Sequence, residues 1–289
     1  MPADWRGARL ASCADFPILV KFIFPKEKLS IQVHPDDAYA RAHEPAAGGR
    51  GKTEMWHAVS AEPDAKVLLG LKPGLNKEKF LSALASGTLE DLFVPHGVHT
   101  EDTFFVPAGT PHTIGPGMVL CEVQEYSDLT YRVYDYGRVD AEGRPRELHI
   151  EKALEVMNFG ATTGGMISRL SLPAPGLNRS LLAACRYFAT ERWELPYPCV
   201  TAGDPSHFDL IVVLSGSGML EGPGFSAPYR RGECWYFPAN LGKFSLAPTA
   251  EWNEPTTLIR AYVPDLVALQ EELRRAKHAE TALRCAVFD

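Results

Sequence analysis

The sequence predicts a mainly β protein of two barrels, with a small helical insertion in the first and a helix near the C-terminus. Three observations predict it. Short β-rich runs recur between Gly, Pro and Asp turns, one internal segment switches to helical spacing, and a Pro-turn element occurs once in each half. With 289 residues, 45% of them hydrophobic, the chain is long enough for two domains with sizeable cores.

In the first half the β-rich runs are PILVKFIF, LSIQVHP, VLLGLK, TFFVPAG, MVLCEVQEY and YRVYDYG. Between them, residues 76–93 (NKEKFLSALASGTLEDLF) place Phe80, Leu81, Leu84, Leu89, Leu92 and Phe93 near helical spacing, interrupted by Gly87. This is the helical insertion. The second half continues with LLAACRYFATERWEL, FDLIVVLSGSGML, GECWYFPAN and TTLIRAYVP, then a helical stretch over 264–278 that starts after Pro264. Superposing Pro107 and Pro238 aligns PAGTPH, ending at His112, with PANLGK, ending at Lys243. In both copies a β run ends at a proline, which offers no ladder donor, and the turn then needs a residue comfortable at positive φ, supplied by Gly109 or Asn240. Only the first copy ends in a histidine. The expected division is a metal-binding catalytic barrel over 1–155 and a second barrel without metal ligands, carrying the C-terminal helix, over 156–289. The linker is expected near 150–165, around ATTGG.

Composition excludes several functions. The chain has 29 basic and 36 acidic residues, a net charge of −7, and no Lys/Arg cluster suited to a phosphate backbone, so nucleic acid is not an expected partner. The opening MPADWRGARLASCADFP lacks the apolar core of a signal peptide, and no run approaches the roughly 18 apolar residues of a membrane span, which predicts a cytoplasmic protein without a membrane partner. The six cysteines form no CxxC pair in a chain too long to need a disulfide framework, and are expected as free thiols.

The chemistry-bearing residues come from three segments. Gln32 and His34 stand two apart in LSIQVHPDD, so on a strand their side chains leave the same face about 7 Å apart. Glu54 follows a Gly/Ala-rich loop in GKTEMW, and His112 closes PAGTPH. Converging in a barrel, two imidazoles, a carboxylate and an amide would suit Zn²⁺, and also Fe²⁺, Mn²⁺ or Co²⁺, with positions left open for water or substrate. Taken singly, each residue is as readily structural: a strand His is usually hydrogen-bonded, and a Glu after a loop is usually solvated. His57, His96, His99 and His149 lack comparable settings and are expected to be structural.

The strings LSIQVHPDD, GKTEMW, VPAGTPHTIG and EYSDLTYRVYDYGR, followed by PRELH, resemble the type I mannose-6-phosphate isomerases, specifically their short bacterial branch. The resemblance runs from about Pro17 to Ile150 and more loosely over the second half. It implies a fold of two cupin (jelly-roll) barrels and a zinc enzyme, with one Zn²⁺ per chain, that interconverts mannose 6-phosphate and fructose 6-phosphate through a cis-enediol. It also implies metal ligation by Gln32, His34, Glu54 and His112, and active-site roles for Lys21, Lys52, Glu122 and Arg132. Arg132 would stabilise the enediolate or hold sugar oxygens, and Glu122 is the nominated base, with a lysine or a water at the metal as competitors. Lys21 and Lys52 would hold the phosphate, assisted by Arg138. Without the resemblance, Arg132 would merely stack on Tyr131 or Tyr134 or pair with Asp128 or Asp135, and both lysines would be ordinary surface residues.

The start departs from the family, whose members carry a longer leading segment with Trp-Gly-Gly and Gly-Glu-x-Trp strings. A truncated or misplaced start is expected here, exposing a barrel edge and putting activity and solubility in doubt. Rival functions are a metal- or sugar-binding cupin with little catalysis and a cupin oxygenase using Fe²⁺. A metal-free epimerase would leave the Gln-x-His and Glu pattern unexplained. The sequence assigns no oligomeric state.

Overall fold

The computed structural model describes all residues except 1, 12, 14, 161–163, 250–254 and 289. The protein is mainly β and divides into two units, one of Leu19–Ile167 and one of residues 1–18 with Ser168–Asp289.

The strands of the first unit are β1 (Ile18–Ile23), β2 (Ile31–Val33), β3 (Glu54–Ala61), β4 (Lys66–Leu71), β5 (Phe93–Gly97), β6 (Thr103–Val106), β7 (His112–Ile114), β8 (Met118–Glu125), β9 (Tyr131–Tyr134) and β10 (Gly165–Ile167). They form two sheets, ordered β1-β8-β3-β6-β10 and β5-β4-β7-β2-β9. Alternation along the strands sends Trp56, Val67, Leu69, Phe104, Ile114 and Leu120 into one core shared by both sheets. The opposite face of the second sheet buries Ile31, Val33, Tyr131 and Val133 against Phe80, Phe93 and Ala153. The predicted helical insertion is a helix over Lys77–Ser86 followed by a 3₁₀ turn over Leu89–Leu92. Asn76 caps it by accepting from Lys79 N, Gly87 ends it at φ 74°, and Phe80 is its fully buried anchor.

In the second unit, strands Ala189–Leu195, Thr256–Tyr262, Asp209–Ser215 and Cys234–Phe237 stand side by side in that order, matching the run β1-β8-β3-β6. The registers correspond as well. Glu54 faces Val106, directly before Pro107, and Asp209 faces Phe237, directly before Pro238. Two residues further on, Trp56 faces Glu122 and Ile211 faces Arg260. The helix Leu266–Arg275, N-capped by Asp265, packs Leu269 and Leu273 on Leu170, Leu181 and Tyr262.

Three expectations need correction. The units divide after Ile167, not near 155, because helix Ile150–Val156 packs on the first unit's core and β10 pairs with β6. The predicted linker falls partly on 161–163, outside the described residues, and Gly165 already belongs to β10. Residues 2–18 group with the second unit, where Ala8 N and Arg9 N donate to Pro205 O and Ser206 O and Tyr236 Oη donates to Trp5 O. Finally, Asn240 does not take the positive φ expected of it. Ala239–Leu241 closes a 3₁₀ turn, and Gly242, at φ 73°, takes the positive-φ position.

Arg260 meets a second acid. Glu191 is fully buried and accepts from Arg179 Nη2 and Nε (2.6 and 2.7 Å), Trp193 Nε1 (2.9 Å), Tyr262 Oη (2.8 Å) and Arg260 Nη1 (3.4 Å), while Arg260 Nε donates to Asp209 Oδ1 at 2.8 Å. Burial would push the Glu191 carboxyl up, but Arg260, Arg179 and the Trp193 N–H outweigh it and hold it at about 2. A carboxyl lowered on folding stabilises above its unfolded pKa, and that contribution fades as pH falls from about 4.5 toward 2. Glu191→Gln leaves Arg260 only Asp209 and Arg179 only Glu272 as acidic partners, so chemical denaturation should show a loss of about 2–3 kcal/mol at pH 7. The gap to wild type should narrow below pH 4.5; an equal gap at pH 3 would contradict this account.

Candidate metal centre and active site

The first unit's interior turns polar at one end. β2 pairs with β7 through Gln32 and His112, and with β9 through Gln32 and Arg132. Because Ile31 and Val33 face the helix-covered core, Gln32 faces the interior. His34 follows at the end of β2. Its carbonyl accepts from Gly109 N at 2.7 Å, while the adjacent Pro35 carbonyl accepts from Lys52 N at 3.0 Å. The PAGTPH turn is thereby tied to the segment carrying His34. Gly109, at φ 81°, cannot be replaced without cost, since a Cβ there would lie 2.9 Å from Val156 O.

His34, Glu54 and His112 are all buried and offer ligand atoms within 4.8 Å of one another. The His34 Nδ1–H donates to Leu129 O (2.8 Å) and the His112 Nδ1–H to Thr110 O (2.9 Å), which leaves both Nε2 lone pairs facing Glu54. His34 Nε2 lies 3.3 Å from Glu54 Oε1, and His112 Nε2 lies 3.8 Å from Oε2. Burial, reinforced by Lys52, holds the His34 imidazole below its usual range, and burial takes His112 to about 4. Both are therefore neutral at pH 7, the form that binds metal. Burial disfavours the Glu54 carboxylate, but the Lys52 ammonium beside it outweighs that and holds the carboxyl well below the usual range. Lys52 Nζ is 2.7 Å from Oε1, yet that oxygen accepts no well-directed hydrogen bond. Gln32 completes the group, with its amide nitrogen 3.2 Å from His112 Nε2. Rotating that amide would present the carbonyl oxygen instead.

These residues fit a divalent cation. Tetrahedral sites with bonds of about 2.0–2.1 Å hold neighbouring ligand atoms about 3.3 Å apart, as His34 and Glu54 are. An under-satisfied carboxylate oxygen and two neutral Nε2 atoms aimed at it are what such a site requires.

The other expected residues gather unevenly. Trp56 Nε1 donates to both Glu54 Oε2 and Glu122 Oε1, each at 3.1 Å, so one indole bridges two carboxylates. Burial and then the Glu54 charge push the Glu122 carboxyl up to about 8. Lys52 is buried, not a surface lysine, and its ammonium is retained because Glu54 and Glu122 outweigh its desolvation. Lys21 Nζ donates to Gln124 Oε1 and Asp128 Oδ1, both at 3.1 Å. Arg138 instead donates to the Lys28 carbonyl and to Asp135, where Arg146 also converges. Sequence reasoning gave no role to Trp56 or Arg146, since neither stands in a ligand-like spacing, and placed Asp135 only beside Arg132, whereas it also accepts from Arg138 and Arg146. Of the remaining histidines, His57 bonds Thr103 Oγ1, and the His149 N–H donates to Arg132 O. Among the described residues, no helix is long and apolar enough to cross a membrane.

No protein-family model matches the chain. The mannose-6-phosphate isomerase ManA of Bacillus subtilis is 35% identical over 236 residues, 82% of this chain and 73% of the relative. The mannose-6-phosphate isomerase of Streptococcus mutans is 38% identical over 205 residues, 71% of this chain and 63% of the relative. The crystal structure of the B. subtilis mannose 6-phosphate isomerase superposes with a TM-score of 0.77 at 32% identity, covering 85% of this chain and 75% of that one. With this likeness spread over most of its length, the chain belongs to the mannose-6-phosphate isomerase family.

Proposed function

We propose that the chain is a metal-dependent aldose–ketose isomerase that interconverts mannose 6-phosphate and fructose 6-phosphate. One observation carries the reading: the buried Glu54 carboxylate lies between two neutral imidazoles, with Lys52 beside it and Glu122 sharing its indole donor. Relatives named mannose-6-phosphate isomerase support it, and nothing in them favours a non-catalytic binding cupin or an iron oxygenase. In this reading Gln32, His34, Glu54 and His112 hold one Zn²⁺ per chain, and the same ligands accept Mn²⁺, Fe²⁺ or Co²⁺. Bound there, the cation supplies Lewis-acid polarisation of sugar oxygens.

The reaction moves one proton between adjacent carbons. C2 of the aldose loses its proton while the aldehyde oxygen gains one, giving a cis-enediol. A proton then returns to C1 as the C2 hydroxyl loses its own, giving the ketose. Glu122 is the group assigned to this proton, because a carboxyl raised to about 8 exchanges one near neutral pH. Lys52 remains an ammonium beside the two carboxylates and donates to oxygens that become negative. Arg132, in register with Gln32, adds a guanidinium for the same charge. Lys21 and Arg138 contribute to holding the phosphate. The second unit is read as a cupin-like barrel in which Asp209 and Arg260 stand where the first unit has Glu54 and Glu122, without metal ligands. The working place of the protein is read as the cytoplasm, its partner as a small sugar phosphate rather than nucleic acid or membrane.

Metal removal and three substitutions test the reading. In a coupled assay, chelation should abolish mannose 6-phosphate turnover and added Zn²⁺ should restore it. Glu54→Gln should weaken metal binding by at least about 100-fold, whereas turnover that survives in metal-free protein would refute the assignment. Glu122→Gln should lower kcat by about 10²–10⁴-fold with metal content intact. Arg132→Ala should likewise depress turnover far more than metal content; parallel loss of both would make these residues structural supports of the metal centre.

A further inference from the structure

Beyond β9 three guanidiniums gather around one carboxylate. Asp135 is 6% exposed and accepts from Arg146 Nε at Oδ2 (2.6 Å) and from Arg146 Nη2 and Arg138 Nη2 at Oδ1. Arg132 Nε lies 3.9 Å from the same Oδ1. Three arginines against one aspartate leave a surplus of two positive charges. The arginines' other contacts are uncharged: Arg132 Nη1 donates to Glu147 O at 3.2 Å, Arg138 donates to Lys28 O (2.8 Å) and Asp135 O (3.2 Å), and the Arg138 guanidinium lies 5.9 Å from the centre of the Tyr136 ring. Arg132 Nε is buried without a hydrogen-bond partner, an expensive state for a charged donor. Burial and then repulsion from Arg146 hold the Arg132 guanidinium below its usual range, with Arg138 adding to the repulsion.

The triad also has a direction. Arg132 is in register with Gln32, which is in register with His112, so one end of the arginine group adjoins the metal centre. Its side chains remain open to solvent to different degrees, 20% for Arg132, 26% for Arg138 and 40% for Arg146. An anion can therefore reach the outer guanidiniums while the rest of the molecule that carries it extends along β9 toward Gln32.

We propose that Asp135 is a positioning residue that gathers Arg132, Arg138 and Arg146 into a clamp for the phosphate dianion of the substrate, with Arg146 as a direct phosphate contact. This rests on the isomerase reading and adds Asp135 and Arg146 to it. The surplus charge of the triad matches a phosphate dianion, and guanidinium forks suit its oxygens. Without Asp135 the three like charges would repel one another out of register.

The test uses the full-length, metal-loaded protein with Asp135→Asn, Asp135→Glu and Arg146→Gln. Asp135→Asn and Arg146→Gln should each raise KM for mannose 6-phosphate about 10–100-fold, the worth of a lost charge-assisted contact. In Arg146→Gln kcat should stay within a few fold, whereas Asp135→Asn, which also frees Arg132, should lower kcat as well; in both, metal content should be unchanged and the inhibition constant of inorganic phosphate should rise in parallel with KM. Asp135→Glu should restore most of the affinity. A merely structural Asp135 would lower the melting temperature and the active fraction without moving KM or phosphate inhibition, and that result would overturn the proposal. Arg146→Gln, on the exposed rim, covers the case in which Asp135→Asn fails to fold; unchanged KM and phosphate inhibition in it would also overturn the clamp. Calorimetric binding of inorganic phosphate separates this proposal from the isomerase reading. Loss of phosphate binding in Arg146→Gln supports the clamp even in a protein that does not turn over mannose 6-phosphate, and equal binding in wild type and variant refutes it.

Discussion

A carboxylate in a protein interior has to be compensated, and Glu54 is compensated from several sides at once. Lys52 provides the full charge and the Trp56 indole N–H donates to the second oxygen, while two imidazoles, held in one tautomer by backbone carbonyls, turn lone pairs toward the same point, which a cation between them would satisfy. Lys52 and Trp56 flank Glu54 in its own segment, but His34 and His112 come from the other sheet, so the two sheets of the first unit must be in register before the group exists. The apolar packing of Trp56, Leu69, Ile114 and Leu120 fixes that register, and the polar group inherits its geometry from it. Neutral imidazoles, an ionised carboxylate and a high carboxyl pKa at Glu122 then follow from burial and charge alone.

The second unit solves the same problem differently. With strands in the same order and an acid at the corresponding register position, it neutralises Asp209 with Arg260 and uses Arg179 to close the account at Glu191. A guanidinium has no open coordination position and cannot be exchanged for substrate. A shared framework thus supports a group able to hold a metal ion in one unit and a closed ion-pair network in the other.

Much of this was legible in the sequence for identifiable reasons. Phe80 at helical spacing with Asn76 and Gly87 at the ends marked the insertion, because caps and periodicity are local. Gln32, His34, Glu54 and His112 were legible as a set through the resemblance, since no one of them departs from what a structural residue would look like. The run LLAACRYFATERWEL hid a hairpin between Asn178–Ala184 and Ala189–Leu195, as its turn at Cys185–Phe188 contains neither Gly nor Pro. FDLIVVLSGSGML likewise holds two strands, parted at Gly216. The grouping of Arg132, Arg138 and Arg146 was not legible, because which arginine reaches Asp135 depends on the loop that follows β9.

Gly109 donates to the carbonyl of His34 and accepts from Asn158 N at 2.8 Å, with Val156 O too close for any side chain. The backbone that presents both imidazoles is thereby stitched to the end of the helix Ile150–Val156. Spacing between the two rings is then governed by main-chain tethers rather than by rotamer choice. Strain introduced at that adjoining helix end would bear on the segments carrying both rings together rather than on either alone.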